Sequence, residues 1–164
     1  MKIFYIILLF GLAPASSSVV ANEWLIGVGE IYQADESGYE MYSLSFEKND
    51  WKGNVSYWET YPYTAWLETN PEWGIDYVES HYMVAIIKTL FDYQASSDLS
   101  FYFDLGLTYT SRLSKANSSS LNFQENLGLA YKNMRLYLRH TSNANIKGSN
   151  RGEDALVFEV GFEF

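Results

Sequence analysis

The sequence predicts an all-β fold: an eight-stranded antiparallel up-and-down transmembrane β-barrel of the bacterial outer membrane. Segments of alternating polar and apolar residues recur along the chain, which is the pattern of strands with two different faces. Aromatic residues make up 18% of the chain, a content that suits the interfacial girdles of a membrane barrel. Mean hydropathy is nevertheless below zero. A barrel explains both values, because one face of each strand meets lipid and the other meets a polar lumen.

The first residues have the character of an export signal. A lysine at position 2 precedes an apolar run over residues 3–12 and a junction of small residues ending at Ala21. The run is too short to cross a bilayer as a helix, and the junction is typical of a cleavage site. We expect residues 1–21 to be a signal peptide and residues 22–164 to form a single β-barrel domain.

Eight segments with a period of two follow in order. The alternation predicts strands over residues 23–32, 38–48, 51–58, 80–93, 98–111, 120–131, 134–142 and 154–164. The fifth segment alternates most regularly, and the sixth has one exception, Glu125, on its apolar side. Connections after the second, fourth and sixth strands are short, whereas the others are longer. Outer-membrane barrels have short periplasmic turns and longer outer loops, so we expect the loop between the last two strands to be extracellular.

A soluble, lipocalin-like barrel would also alternate, but it places apolar residues in its cavity. The face opposite the apolar one is unsuited to such a cavity, since it carries polar and acidic residues: Asp104, Asn122, Gln124, Asn126, Glu159 and Glu163. We therefore favour the membrane barrel.

Charge and composition exclude several classes of function. The net charge of −9 argues against nucleic acid as a partner. The chain has no cysteine and two histidines, which form no recognisable set of metal ligands. We predict no metal and no cofactor, and we interpret His81, which follows Glu79 and Ser80, as a surface residue.

Residues suited to acyl transfer lie on the apolar side of the last two predicted strands. The period of two puts His140 and Ser142 on the same face, about 6 to 7 Å apart between Cα atoms. Antiparallel pairing places Asp154 beside them. A serine nucleophile needs a base, and the base needs an orienting acid, so the pattern is compatible with a triad of Ser142, His140 and Asp154. It is equally compatible with ordinary strand ends at a membrane interface.

The run His140–Ala144, followed by Asn150–Asp154 and a closing strand that ends in Phe164, resembles the signature of the lipid A 3-O-deacylase family of outer-membrane barrels (PagL-like). In that family His, a variable residue, Ser, Asn and Ala are followed by Asn-Pro-Gly and by an acid or polar residue two positions after the glycine. The general plan is similar over residues 22–164, whereas the specific motif covers the last 25 residues.

The resemblance implies roles for the matching positions. His140 matches the catalytic base and Ser142 the nucleophile, while Asp154 stands where better-known members have glutamate. Aspartate is one methylene shorter, which makes the adjacent Glu153 an alternative acid. We favour Asp154, because strand parity points it to the same side as Ser142 and His140, whereas Glu153 points inward.

The same comparison implies supporting residues around the loop. Asn143 and Asn150 match asparagines of the motif, and we expect them to shape the loop and to help form the oxyanion hole. Gly152 would allow a tight approach of the backbone. Arg151 stands where proline is usual, which loosens the loop without removing a catalytic group.

The resemblance implies a serine esterase that hydrolyses the ester-linked 3-hydroxyacyl chain at position 3 of lipid A, the anchor of lipopolysaccharide, in the outer leaflet of the outer membrane. The expected partners are therefore lipid A or lipopolysaccharide and outer-membrane lipids, and we interpret Arg139, Lys147 and Arg151 as possible ligands of lipid A phosphates. Two alternatives stay open: a non-enzymatic small barrel with an adhesion or stability role, and a barrel esterase acting on another lipid such as phospholipid.

Overall fold

The computed structural model describes residues 22–32, 39–63, 76–114, 116–144, 146 and 152–163. The predicted signal peptide, residues 1–21, lies outside the described residues, as does Phe164. The prediction that residues 1–21 are removed therefore stays a prediction.

The described part of the chain contains ten strands: β1 Glu23–Ile31, β2 Glu40–Lys48, β3 Trp51–Trp58, β4 Tyr61–Tyr63, β5 Asp76–Val78, β6 His81–Gln94, β7 Leu99–Thr110, β8 Leu121–Tyr131, β9 Met134–Ser142 and β10 Glu153–Glu163. Eight of these form a closed barrel in the order β1-β10-β9-β8-β7-β6-β3-β2, and β4 pairs only with β5. All barrel pairs are antiparallel. The predicted fold class is confirmed, and each predicted strand matches one barrel strand. The β4–β5 hairpin was not predicted.

The two faces of the barrel follow the predicted alternation. Most outward side chains are apolar, and many are well exposed, for example Ile86 at 65% and Leu127 at 62%. The predicted lumen residues whose side chains the structure describes are buried: Asp104, Asn122, Gln124, Asn126 and Glu159. This arrangement is the reverse of a lipocalin-like barrel, whose cavity is apolar. It is the arrangement of a barrel whose outer surface meets lipid.

A network of charged and polar side chains fills part of the lumen. Glu159 on β10 accepts hydrogen bonds from Lys52 on β3 (3.1 Å) and from Ser45 on β2 (2.9 Å). Arg135 on β9 donates to Glu23 on β1 (2.8 Å) and also to Glu47. Buried charges are costly unless they are paired, and here each charge has a partner on another strand across the lumen.

Connection lengths differ between the two ends of the barrel. Residues 49–50, 95–98 and 132–133 form short turns at one end, and Asn49 and Lys132 each adopt a φ of 55° there. At the other end, the connections span residues 32–39, 59–80, 111–120 and 143–152. Among the residues that the structure describes, no helix is long and apolar enough to span a membrane.

Candidate active site

Strand β9 carries its polar residues on both faces, but in two different environments. Tyr137, Arg139 and Thr141 are buried and point into the lumen. His140 and Ser142 alternate with them, are half-buried, and continue the outward row of Leu136 and Leu138. The outward face therefore changes from apolar to polar at the end of β9 that leads into the loop over residues 143–152.

His140 and Asp154 form a close pair across two neighbouring strands. Their Cα atoms are register partners in the β9–β10 ladder. The imidazole Nδ1 lies 2.7 Å from Oδ1 of Asp154, and the two side chains are 38% and 42% exposed. A carboxylate that accepts the Nδ1–H holds the ring in one orientation and leaves Nε2 as the basic nitrogen. This is the arrangement that a general base needs.

At Gly152 the backbone of the loop over residues 143–152 lies close to two residues of β9, His140 and Ser142. Its φ is +81°, and a Cβ added there would lie 2.7 Å from Cε1 of His140 and 2.8 Å from Cβ of Ser142. It would also lie 2.5 Å from the carbonyl oxygen of Thr141. Both the left-handed φ and the close approach require glycine. His140 and Ser142 therefore both lie close to the backbone of Gly152.

Glu125, the exception in the alternation of the sixth predicted strand, lies beside the same imidazole. It is the register partner of His140 across the β8–β9 ladder, just as Asp154 is across β9–β10. A charged residue on the outward face of a barrel costs less near the interface than at the bilayer midplane. Its position next to His140 gives this carboxylate a polar neighbour, which the sequence alone did not reveal.

Glu153, the alternative acid, lies on the opposite face of β10 and is fully buried. Its carboxylate accepts hydrogen bonds from the hydroxyl of Tyr61 (2.5 Å) and from the amide of Asn117, and it lies 3.3 Å from Nε2 of His81. His81 is only 3% exposed and stacks on Trp58. The prediction of a surface role for His81 is wrong, because β6 begins with this residue on its inward face.

The loop residue Asn143 is buried and points away from the outward face. Its Nδ2 donates to Oγ of Ser118 at 2.9 Å, and its carbonyl oxygen accepts from the N–H of Ile146 at 3.0 Å. Ala144 between them has a φ of 52°, so the chain turns tightly after β9. Asn150, the other asparagine of the motif, lies outside the described residues.

Arg139 does not lie where lipid phosphates could reach it. It is 1% exposed and donates to Oγ of Ser56 at 3.2 Å and to the hydroxyl of Tyr137 at 3.0 Å inside the lumen. The prediction that it contacts lipid A is therefore wrong, because its strand parity is opposite to that of His140. Lys147 and Arg151 lie outside the described residues.

Groups of three or more His, Cys, Asp or Glu side chains suited to a metal ion do not occur within the described ranges.

The apolar outer surface, the polar lumen and the outward His140–Asp154 pair define an outer-membrane β-barrel with a candidate hydrolytic site. The family model described as lipid A 3-O-deacylase (PagL) matches residues 37–163. The chain belongs to this family.

Solved structures that are similar to the chain include the following three, each with a TM-score below 0.5. The outer membrane enzyme PagL has 16% sequence identity, a TM-score of 0.49, and coverage of 87% of this chain and 99% of that one. Neisserial surface protein A has 14% identity and a TM-score of 0.48, with 91% and 99% covered. The Yersinia pestis outer membrane protein Ail has 12% identity and a TM-score of 0.45, with 87% and 100% covered. A search of curated proteins found no match.

Proposed function

We propose that this protein is a lipid A 3-O-deacylase, a serine esterase that hydrolyses the ester-linked 3-hydroxyacyl chain at position 3 of lipid A. The observation that carries the proposal is the 2.7 Å contact between His140 and Asp154 on the outward face, with Ser142 two residues further along that face. Membership of the lipid A 3-O-deacylase family supports this choice of substrate.

The proposed reaction is a two-step acyl transfer. Nε2 of His140 takes the proton of the Ser142 hydroxyl as its oxygen attacks the ester carbonyl, while Asp154 holds the Nδ1–H and stabilises the imidazolium. The sugar oxygen then leaves with the proton from His140. Water, deprotonated by His140, attacks the acyl-serine, and the 3-hydroxy fatty acid departs as Ser142 regains its proton. The steps require no cofactor.

The tetrahedral intermediate of each step carries an oxyanion that needs hydrogen-bond donors. We assign these donors to N–H groups of the loop that begins at Asn143. Asn143 shapes the start of this loop, we expect a similar role for Asn150, and Gly152 lets the backbone approach Ser142 closely. The contact of Asn143 with Ser118 supports the shaping role.

The outward position of the pair suits a substrate that is itself a membrane lipid. Acyl chains of lipid A would lie against the apolar surface below the site, and the ester carbonyl alone must reach Ser142. The site lies at the end of the barrel that has the long connections, which in outer-membrane barrels is the extracellular end. We therefore place it at the outer leaflet.

A competition between lipids tests the proposed substrate. Purified protein is incubated with detergent micelles that contain lipid A and phospholipid together, and both lipids are weighed by mass spectrometry. We expect lipid A to lose one 3-hydroxyacyl chain from position 3 while the phospholipid stays intact. Hydrolysis of phospholipid instead would favour the other lipid esterase, and no hydrolysis by folded protein would favour the non-enzymatic barrel.

The identity of the acid is tested by two isosteric changes at adjacent positions. We expect Asp154→Asn to lower kcat by about 10²- to 10⁴-fold, because the imidazole loses the group that selects its tautomer. Glu153→Gln should lower kcat far less, about tenfold, since this side chain contacts no reacting group. Rates of fatty acid release from lipid A measure both. A larger loss in Glu153→Gln than in Asp154→Asn would reverse the assignment.

A further inference from the structure

Three consecutive residues between β7 and β8 contact the chain on both sides of the candidate site, where β9 ends and where β10 begins. We call them the 116–118 segment: Ala116, Asn117 and Ser118. Ala116 and Asn117 are fully buried, although they belong to a connection between strands. Buried connections are uncommon because their polar groups need partners, so the contacts of this segment call for an explanation.

Each residue of the segment binds a different residue at the end of β9 or at the start of β10. The carbonyl oxygen of Ala116 accepts the N–H of Gly152 at 3.1 Å. The side-chain amide of Asn117 donates to Oε2 of Glu153. Oγ of Ser118 accepts from Nδ2 of Asn143 at 2.9 Å. The first two contacts hold the two residues that precede Asp154, and the third holds the residue that follows Ser142.

Glu153 is anchored from two further directions. Tyr61 on β4 donates to its Oε1 at 2.5 Å, and His81 at the start of β6 lies 3.3 Å from the same oxygen. Because successive side chains of a strand point to opposite faces, a Glu153 fixed in the lumen turns Asp154 outward toward His140. Partners of Glu153 therefore act on the geometry of the His140–Asp154 contact without touching it.

We propose that the 116–118 segment is a positioning element for the active site, with Asn117 as its central residue, an inference that rests on the proposed function. Asn117 holds Glu153 inward and thereby sets the outward position of Asp154. Ala116 and Ser118 hold Gly152 and Asn143 at the same time. The distance between the strands that carry Ser142 and Asp154 thus depends on the connection between β7 and β8.

The Asn117→Ala variant tests this role against a matched control, Asn54→Ala. Asn54 is also a buried asparagine whose side-chain amide donates a hydrogen bond, 2.8 Å to Ser45, but it lies within the β2–β3 wall. We expect Asn117→Ala to lower kcat for lipid A at least about tenfold with KM changed less than about threefold, since small misplacements of catalytic groups reduce rates steeply. Asn54→Ala should keep kcat within about threefold of the wild type.

A nuclear magnetic resonance signal separates positioning from general loss of stability. The chain has two histidines, so ¹⁵N-labelled protein in micelles gives two imidazole spectra, and a His140→Gln variant assigns them. We expect the hydrogen-bonded Nδ1–H resonance of His140 to shift or vanish in Asn117→Ala and to stay in Asn54→Ala. This readout needs no turnover, so it tests the positioning role even if lipid A proves not to be the substrate.

Equal kcat values and an unchanged His140 resonance in Asn117→Ala and Asn54→Ala would overturn the proposal while leaving the deacylase activity untouched. If Asn117→Ala does not fold as a heat-modifiable barrel, Ser118→Ala carries the test, because it removes only one hydroxyl. We then expect a smaller fall in kcat, about threefold or more, with a displaced His140 resonance. Wild-type behaviour in both readouts would reject the positioning role.

Discussion

Replacing His140 by glutamine is expected to lower the turnover of lipid A by about 10³- to 10⁶-fold, as loss of the base does in other serine hydrolases. The glutamine side chain keeps much of the volume but cannot take the proton of Ser142. KM should change little, because in the proposed binding mode the substrate is held mainly by its acyl chains. Initial rates of fatty acid release from purified, detergent-solubilised protein give both constants.

Chemical rescue distinguishes a missing base from a damaged fold. In a His140→Ala variant, added imidazole should occupy the vacated space and restore part of the rate, whereas it should do nothing for Asp154→Asn, in which the native ring still fills the space. If His140→Gln kept more than a tenth of the wild-type rate, His140 would not be the general base, and the mechanism proposed above would be wrong.

Gly152→Ala is expected to lower kcat by about 10²-fold and to destabilise the barrel. The left-handed φ of +81° alone costs a residue with a Cβ about 1 to 2 kcal/mol. The new methyl group would also meet the Thr141 carbonyl at 2.5 Å and the His140 ring at 2.7 Å. Relief requires the backbone or the imidazole to move, and a displacement of about 1 Å costs roughly 10²-fold in rate.

Gly53→Ala is the matched control for this change. An added Cβ at Gly53 has only the carbonyl oxygen of Phe46 nearby, at 4.0 Å, so the substitution fits without strain. The rate of lipid A hydrolysis by Gly53→Ala should be close to the wild-type value. The temperature at which the barrel unfolds, read from the change in its gel mobility, should also be close to that of the wild type. Equal behaviour of Gly152→Ala and Gly53→Ala would show that the loop does not need its close approach to His140.

The barrel and the outward position of His140 and Ser142 could be predicted because both depend on a period of two. Alternation in the sequence translates directly into inward and outward side chains, and a one-residue error would reverse every side chain of a strand. The same parity separated Asp154 from Glu153. It also contained the information that Arg139 points into the lumen, which the expectation of a phosphate contact ignored.

Features that do not depend on the alternation of residues along a strand could not be predicted in the same way. Strands β4 and β5 have three residues each, too few to show alternation. His81 has polar sequence neighbours that suggest exposure, whereas its side chain lies on the inward face of β6, 3.3 Å from Glu153 on a distant strand. The contact of Asn117 with Glu153 joins residues 36 apart in the sequence, and nothing local in either segment specifies it.

The most direct test of the account is the mass of lipid A after incubation with the wild-type protein and with Ser142→Ala, both shown to be folded, heat-modifiable barrels. We expect the wild type to remove one 3-hydroxyacyl chain and Ser142→Ala to leave the lipid A mass unchanged. Removal of the same chain by both proteins would contradict the assignment of Ser142 as the nucleophile. Unchanged lipid A in both would contradict the proposed deacylase activity itself.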